Sequence, residues 1–342
     1  TSTFPYTATA TGTPTLTATA TPTGTATSTG TDTTTDTATS TPTNTATDSP
    51  TPTATSTPTG TPTSTPAVGP TYAAAVTFGS FATMGNVTSL CVTGSNIWVL
   101  GFSQLTEWST SGLSSASTPV TTLTTFGPSN SVSIGQASQV AVDPNTQNVY
   151  VGDRGNGTTG QVDVFDPSGN YLTSFGGSYF TVANGGPSAV AVNSAGTTVY
   201  TYNSVTSQCY AWSINPGTPP TYTYLFAFST STTGSITWDN LGDLCMVGGG
   251  GVEQFDSTGS YLQTIPLPGV PAISQAAFDG SGNIYALDTY SPGYVAEFNP
   301  AGAAVTQYTD GFTYPEGMAF DSTFNNLYVS SGHGSVVDFQ KQ

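Results

Sequence analysis

Hydrophobic and polar positions divide the chain into two regions with different periods. From Tyr72 onward, short apolar runs alternate with polar residues and are broken by Gly, Asn, Asp and Ser, the pattern of strands joined by tight turns. Six stretches align with one another: SLCVTGSNIWVLG, QVAVDPNTQNVYVGD, AVAVNSAGTTVYTYN, SITWDNLGDLCMVGG, QAAFDGSGNIYALDT and GMAFDSTFNNLYVSS. Each predicts a strand, a polar turn and a second strand. The second strand carries Trp98, Tyr150, Tyr200, Tyr285 and Tyr328, with Cys245 in that place in the fourth copy. A third strand carries an aromatic in every copy: Trp108, Phe165, Trp212, Phe255, Phe298 and Phe339.

The copies recur at about 40 to 50 residues, the length of a four-stranded propeller blade. Fourth strands are visible as YLTSFGG, YTYLFAFS, SYLQTIP and AAVTQYT. The sixth copy lacks one, because the chain ends at Gln342. The missing strand is predicted at the other end, in YAAAVTFGSF, residues 72–81. Pairing it into the last blade closes the ring and removes open edges. Residues 71–342 are therefore expected to form one all-β, six-bladed β-propeller closed by an N-terminal strand. A two-sheet β-sandwich of similar strand count gives no reason for six copies in phase.

The second copy, SQVAVDPNTQNVYVGDRGNGTTGQVDVFDPSGNYLTSFGG, resembles an NHL repeat in its VAVD strand, its NVYVGD strand and its Asp-Pro-Ser-Gly turn. The other copies match more loosely, and the basic residue that family often carries before its third strand is absent. The resemblance covers the propeller and implies a six-bladed fold. It does not narrow the ligand, since such propellers bind proteins, RNA or small molecules and some are enzymes.

Residues 1–70 follow a period of two. From Thr7 to Thr65 every odd position is Thr except Ser49. In an extended chain this makes one continuous Thr face, opposed by a face of Ala, Gly, Ser, Pro, a few Asp and Leu16. Every proline in the register is even: Pro14, Pro22, Pro42, Pro50, Pro52, Pro58, Pro62 and Pro66. Backbone N–H groups alternate between edges, so one edge loses donors repeatedly while the Thr edge keeps all of them. Expansion of a simple dipeptide repeat produces the same parity. Fully extended, about 60 residues span on the order of 200 Å. Such a strand needs partners, and other copies of the chain are the nearest source. Phe4 and Tyr6 would serve as anchors in a neighbour.

Charge changes the picture of the surface. Only 6% of residues are charged, with 19 carboxylates against Arg154 and Lys341, a net charge of −17. That balance repels phosphate backbones and excludes nucleic acid and anionic membranes as partners. No apolar run is long enough to span a bilayer. The chain has neither an initiator Met nor a charged-then-apolar leader, as in a mature chain after export or one cut at a chosen boundary. Hydroxyls, covalently attached glycans or burial in an assembly must keep it soluble. Thr21, Thr41, Thr51, Thr57 and Thr61, each before Pro, have the composition of O-glycosylated stalks. Asn86 in NVT and Asn156 in NGT fit the N-glycosylation sequon. An extracellular or cell-surface setting follows.

Candidate chemistry is sparse. Cys91 takes the slot of Ala141, Ala191, Ala277 and Ala319, Cys209 a Val slot and Cys245 an aromatic slot, so buried free thiols are expected. A Cys209–Cys245 bridge between adjacent blades is the alternative. The one histidine, His333, lies in a Gly-rich turn. No nucleophile elbow or phosphate loop is present. Asp143, Asp239, Asp279 and Asp321, with Asn193 in the remaining slot, follow the innermost strands. They either close the turns, the favoured reading, or form a ring able to hold Ca²⁺. Glu107, Glu253 and Glu297 suggest a glycosidase pair, but alternation places them opposite the buried aromatics, where solvated carboxylates are the default.

Three functions result. The leading one is a non-enzymatic, secreted structural subunit of a filament or surface layer, assembling through its arm with the propeller as a decorating domain. The alternative is a cell-surface binding module, a glycosylated stalk presenting a propeller that binds glycan or protein. The third is a Ca²⁺-dependent lactonase or lyase.

Overall fold

The computed structural model describes residues 70–342 apart from 102–103, 127–131, 134–136, 156–158, 182, 184, 233, 291 and 333. The arm, with Phe4, Tyr6, Thr7, Leu16, Thr65 and the five threonines named for O-glycosylation, lies outside these residues, as do Asn156 and His333.

Each aligned copy forms a four-stranded antiparallel sheet, and six such sheets make a six-bladed propeller. Blade one runs Val87–Thr93, Asn96–Gly101, Leu105–Ser109 and Thr121–Leu123. Blades two to five repeat this meander, and their first strands are Ala137–Val142, Ala189–Val192, Ile236–Trp238 and Ile273–Phe278. Blade six begins at Met318–Phe320, followed by Asn326–Ser331 and Ser335–Lys341. The six first strands are neighbours in cyclic order and surround a central channel. Among the described residues, no helix is long and apolar enough to cross a membrane.

Closure follows the sequence expectation. Tyr72–Phe78 pairs antiparallel with Ser335–Lys341 as the fourth strand of blade six. Its two ends lock different neighbours. The Tyr72 ring meets Tyr285 edge-on at 5.8 Å, and its hydroxyl donates to the Phe324 carbonyl at 2.8 Å. Phe78 packs on Trp108 of blade one at 5.1 Å. The strand is shorter than the 72–81 expected. Gly79 adopts φ 80°, where a side chain would collide with Met84, and Phe81–Met84 forms a helical turn.

Among the described residues the core is six apolar clusters, one at each interface between successive blades. The second- and third-strand aromatics, with Cys245 in its slot, are all buried. Both faces of every sheet therefore pack on a neighbour, and this has consequences for the charged residues.

The fourth strands of blades two to six carry a β-bulge at one repeated place, opposite the third-strand aromatic. The extra residue is Leu172, Leu225, Leu262, Val305 or Ala75. An inserted residue twists an edge away from flat pairing.

Candidate functional site

The first strands begin at one mouth of the channel. The residue one before each aligned copy's leading position is Thr88, Ser138, Ser188, Gly234, Ser274 or Glu316. Four of these donate a hydroxyl to a second-strand carbonyl of their own blade. Thr88 reaches Leu100 at 3.3 Å, Ser138 reaches Gly152 at 3.1 Å, Ser188 reaches Tyr202 at 3.1 Å, and Ser274 reaches Leu287 at 3.5 Å. Ser138 also reaches across to Pro187 at 2.7 Å. Gly234 breaks the ring because a Cβ there would collide with the Val247 carbonyl. These residues, with Arg154, line a cavity of about 620 Å³. The mouth walls partly desolvate Glu316 and raise its carboxyl above the ordinary range.

One residue deeper, a polar belt stitches the blades together. Ser89 accepts from Val140 N at 3.3 Å, Gln139 from Val190 N at 3.2 Å, and Gln275 from Met318 N at 2.7 Å. Gln139 also donates to the Ile236 carbonyl at 3.3 Å, so one side chain ties blade two to blades three and four. Beyond Gln139 and Gln275 lies a second cavity of about 600 Å³, with walls of Val, Ala, Phe and Trp238. Ser235 Oγ at the mouth and Trp238 Nε1 in the deeper cavity are buried without a hydrogen-bond partner among the described residues.

At the far end, the Asp positions singled out from the sequence close turns. Asp279 Oδ1 accepts from Ser281 N at 2.8 Å and Asn283 N at 2.9 Å, while Oδ2 accepts from Asn283 Nδ2 at 2.9 Å. Asp239 and Asp321 repeat this with Leu241 and Asp243, and with Thr323 and Asn325. Asp143 Oδ1 accepts from Asn145 N at 2.9 Å, and Asn193 Oδ1 from Thr197 N at 2.8 Å. Among the described residues, no three His, Cys, Asp or Glu side chains gather as a metal site.

The glutamates differ from expectation. Glu107, Glu253 and Glu297 are 5%, 9% and 1% exposed, not solvated. Both sheet faces are covered, so alternation turns Glu107 and Glu297, each one residue before its aromatic, into the opposite interface, whereas Glu253, two residues before Phe255, lies on the aromatic's own face. Nor do they share a face: Glu107 and Glu297 pair with Trp98 and Tyr285, whereas Glu253 pairs with Met246. Each carboxylate is held by hydroxyl or amide donors: Asn96 on Glu107 at 2.6 Å, Thr230 on Glu253 at 2.8 Å with Ser231 beside it, and Tyr308 on Glu297 at 2.6 Å. Burial raises the carboxyls of Glu107 and Glu297. Asp163, which the sequence reading missed, is fully buried; desolvation and then Asp153 push it up to about 7.

The cysteines are free thiols. Cys209 packs between blades three and four and Cys245 between blades four and five, so the two face different cores. Cys91 is only half-buried and sits on the channel wall. Burial raises the thiols of Cys209 and Cys245, and desolvation by the core that Cys91 packs against raises its thiol too, which suppresses thiolate chemistry at all three. Asn86 is exposed in the bend before the first strand of blade one, two residues from Thr88 at the mouth. No family model matches the chain, and a search of curated proteins finds no match.

Proposed function

We propose that the chain is a secreted structural subunit of an extracellular filament or surface layer. The Thr-rich arm assembles with other copies, and an NHL-type propeller decorates the polymer. The observation that carries this reading is the Thr7–Thr65 register with all its prolines on the opposite parity. Such an arm has one edge able to donate along its whole length. The propeller supports it in one respect: its six sheets are completed by residues 72–341, so the ring needs no strand from the arm. Attached glycans would supply the solvation that a chain with 6% charged residues lacks. The test is electron microscopy of the secreted, glycosylated protein with sedimentation across concentration. Filaments or sheets are expected; a monodisperse monomer with a protease-sensitive arm overturns the reading.

The channel mouth favours a second reading, a cell-surface module whose propeller binds glycan on a glycosylated stalk. Hydroxyls at successive blades and the unpartnered Ser235 Oγ suit an uncharged polyhydroxyl ligand. Titration with a panel of soluble oligosaccharides tests it. Saturable heat that Ser235→Ala abolishes supports this reading, and no binding at millimolar sugar removes it.

A further inference from the structure

The outer strands of the six blades are unequal. They are three residues long in blade one, five in blades two and five, six in blade four and seven in blade six. In blade three Thr221–Ser229 runs for nine. Among the described residues it forms the open edge of its sheet, paired only with Gln208–Asn215. Its sequence, TYTYLFAFS, contains no charge, proline or glycine. Open edges are normally short, charged, proline-bearing or bulged, because an unpaired row of N–H and C=O groups recruits other chains.

The bulge does not set this strand apart, since blades two to six share it. What differs is the length on either side. At Leu225 it leaves four residues each way, Thr221–Tyr224 and Phe226–Ser229. In blade six the bulge at Ala75 leaves three and three, and in blades two, four and five a single residue precedes it.

The edge is also rigidly held. Tyr222 stacks on Phe175 of blade two at 4.0 Å, and its hydroxyl donates to Tyr150 at 3.1 Å. Tyr224 stacks on Tyr179 at 4.8 Å. Aromatic contacts fix one face of the strand, so adding a further strand orders little that is not already ordered.

We propose that Thr221–Ser229 is the docking edge for the Thr-rich arm of a neighbouring copy, which adds to blade three as a fifth strand. This rests on the structural-subunit reading and names the acceptor surface it lacks. The arm fits on three grounds. Its Thr edge keeps every donor over Thr7–Thr65, matching an edge that offers backbone groups and no charge. Its even positions are mostly Ala, Ser, Gly and Pro, small enough to lie beside Tyr224 and Leu225. About 60 residues of arm on the order of 200 Å long can reach a neighbouring propeller. Main-chain pairing gives affinity and tolerates the low side-chain information of a Thr-Xaa repeat.

The test compares two matched substitutions in the full-length, glycosylated chain. Leu225 and Leu262 are both 47% exposed and occupy the equivalent bulge in blades three and four. Leu225→Lys puts a charge on the docking edge, while Leu262→Lys puts the same charge on a shorter one. Leu225→Lys is expected to raise the concentration needed for assembly by roughly tenfold or more, and Leu262→Lys to leave it unchanged, with both melting as wild type. Amide exchange of residues 221–229 is expected to slow on assembly in wild type and not in Leu225→Lys. Equal behaviour of the two variants, whether both assemble or both fail, overturns this inference alone, as does unprotected exchange at 221–229 in the polymer. A wild-type chain that never assembles removes the structural-subunit reading with it.

Discussion

Replacing Asp163 with Asn isolates what an acidic side chain does inside a blade. Asp163 is fully buried; one oxygen accepts from Gln161 Nε2 at 2.8 Å, and the other has no hydrogen-bond partner among the described residues. Burial, followed by the neighbouring Asp153, raises its carboxyl from 3.8 to about 7. A folded-state value above the unfolded one means the native state binds the proton more tightly. The stabilisation is therefore complete below the unfolded value near 4 and lost as pH rises through about 7. A rise of about three units at 1.36 kcal/mol each makes the loss on the order of 4 kcal/mol, an upper bound because Asp153 titrates with it. Asn cannot ionise, but it places an unpaired amide donor where Oδ2 sat, at a cost of about 1–3 kcal/mol.

The variant should accordingly gain on wild type as pH rises from about 4 to about 7 and hold level above that, with the two curves crossing within that window. Denaturant unfolding at half-unit pH steps measures this, and the quantity to read is the difference between the two curves. That subtraction removes the other raised carboxyls, including Glu107, Glu297 and Asp338. A difference that stays flat from pH 5 to 8.5, or that falls with pH, refutes the argument.

Other outcomes follow from single contacts. Gly317→Ala brings a Cβ to 3.0 Å from Leu90 N and Ser89 Cα where blade six meets blade one, so a loss of about 1–3 kcal/mol is expected in denaturant melts. Asp279→Ala removes the acceptor of two turn amides and of Asn283, and should cost about 1–2 kcal/mol. Asp279→Asn keeps an acceptor for the two amides and should cost less. Cys209 and Cys245, buried with raised thiols, should resist a thiol reagent at pH 8 in the native protein. All three cysteines should react once it is unfolded.

Blade number, strand order and ring closure were legible in the chain because each rests on short-range pattern. The aromatic slots at Trp98 and Trp108 and their equivalents, the Asp turns and the closing strand from Tyr72 repeat in phase, and an alternating strand with a turn has few alternatives. Thr121–Leu123 was missed because residues 110–120 intervene and the strand is only three residues long. The channel mouth was missed because Thr88, Ser138, Ser188 and Ser274 look like ordinary hydroxyls until six strand starts are brought to one ring.

By itself the sequence determined the six-bladed ring, the turn-forming Asp residues and the parity of the arm, since local backbone preference and hydrophobic period decide each of them. Only the tertiary structure decided which polar side chains are inside. Alternation marks one strand face as wet only when one sheet face meets water. In a propeller each blade is covered on both sides, so Glu107, Glu253, Glu297 and Asp163 enter interblade cores. For the same reason Cys209 and Cys245 point into different interfaces. The outer strand of blade three reads from the sequence as one of four of nearly equal length. That it runs for nine residues against three to seven elsewhere also emerged only in the tertiary structure, because how far a strand pairs depends on the register of the strand beside it.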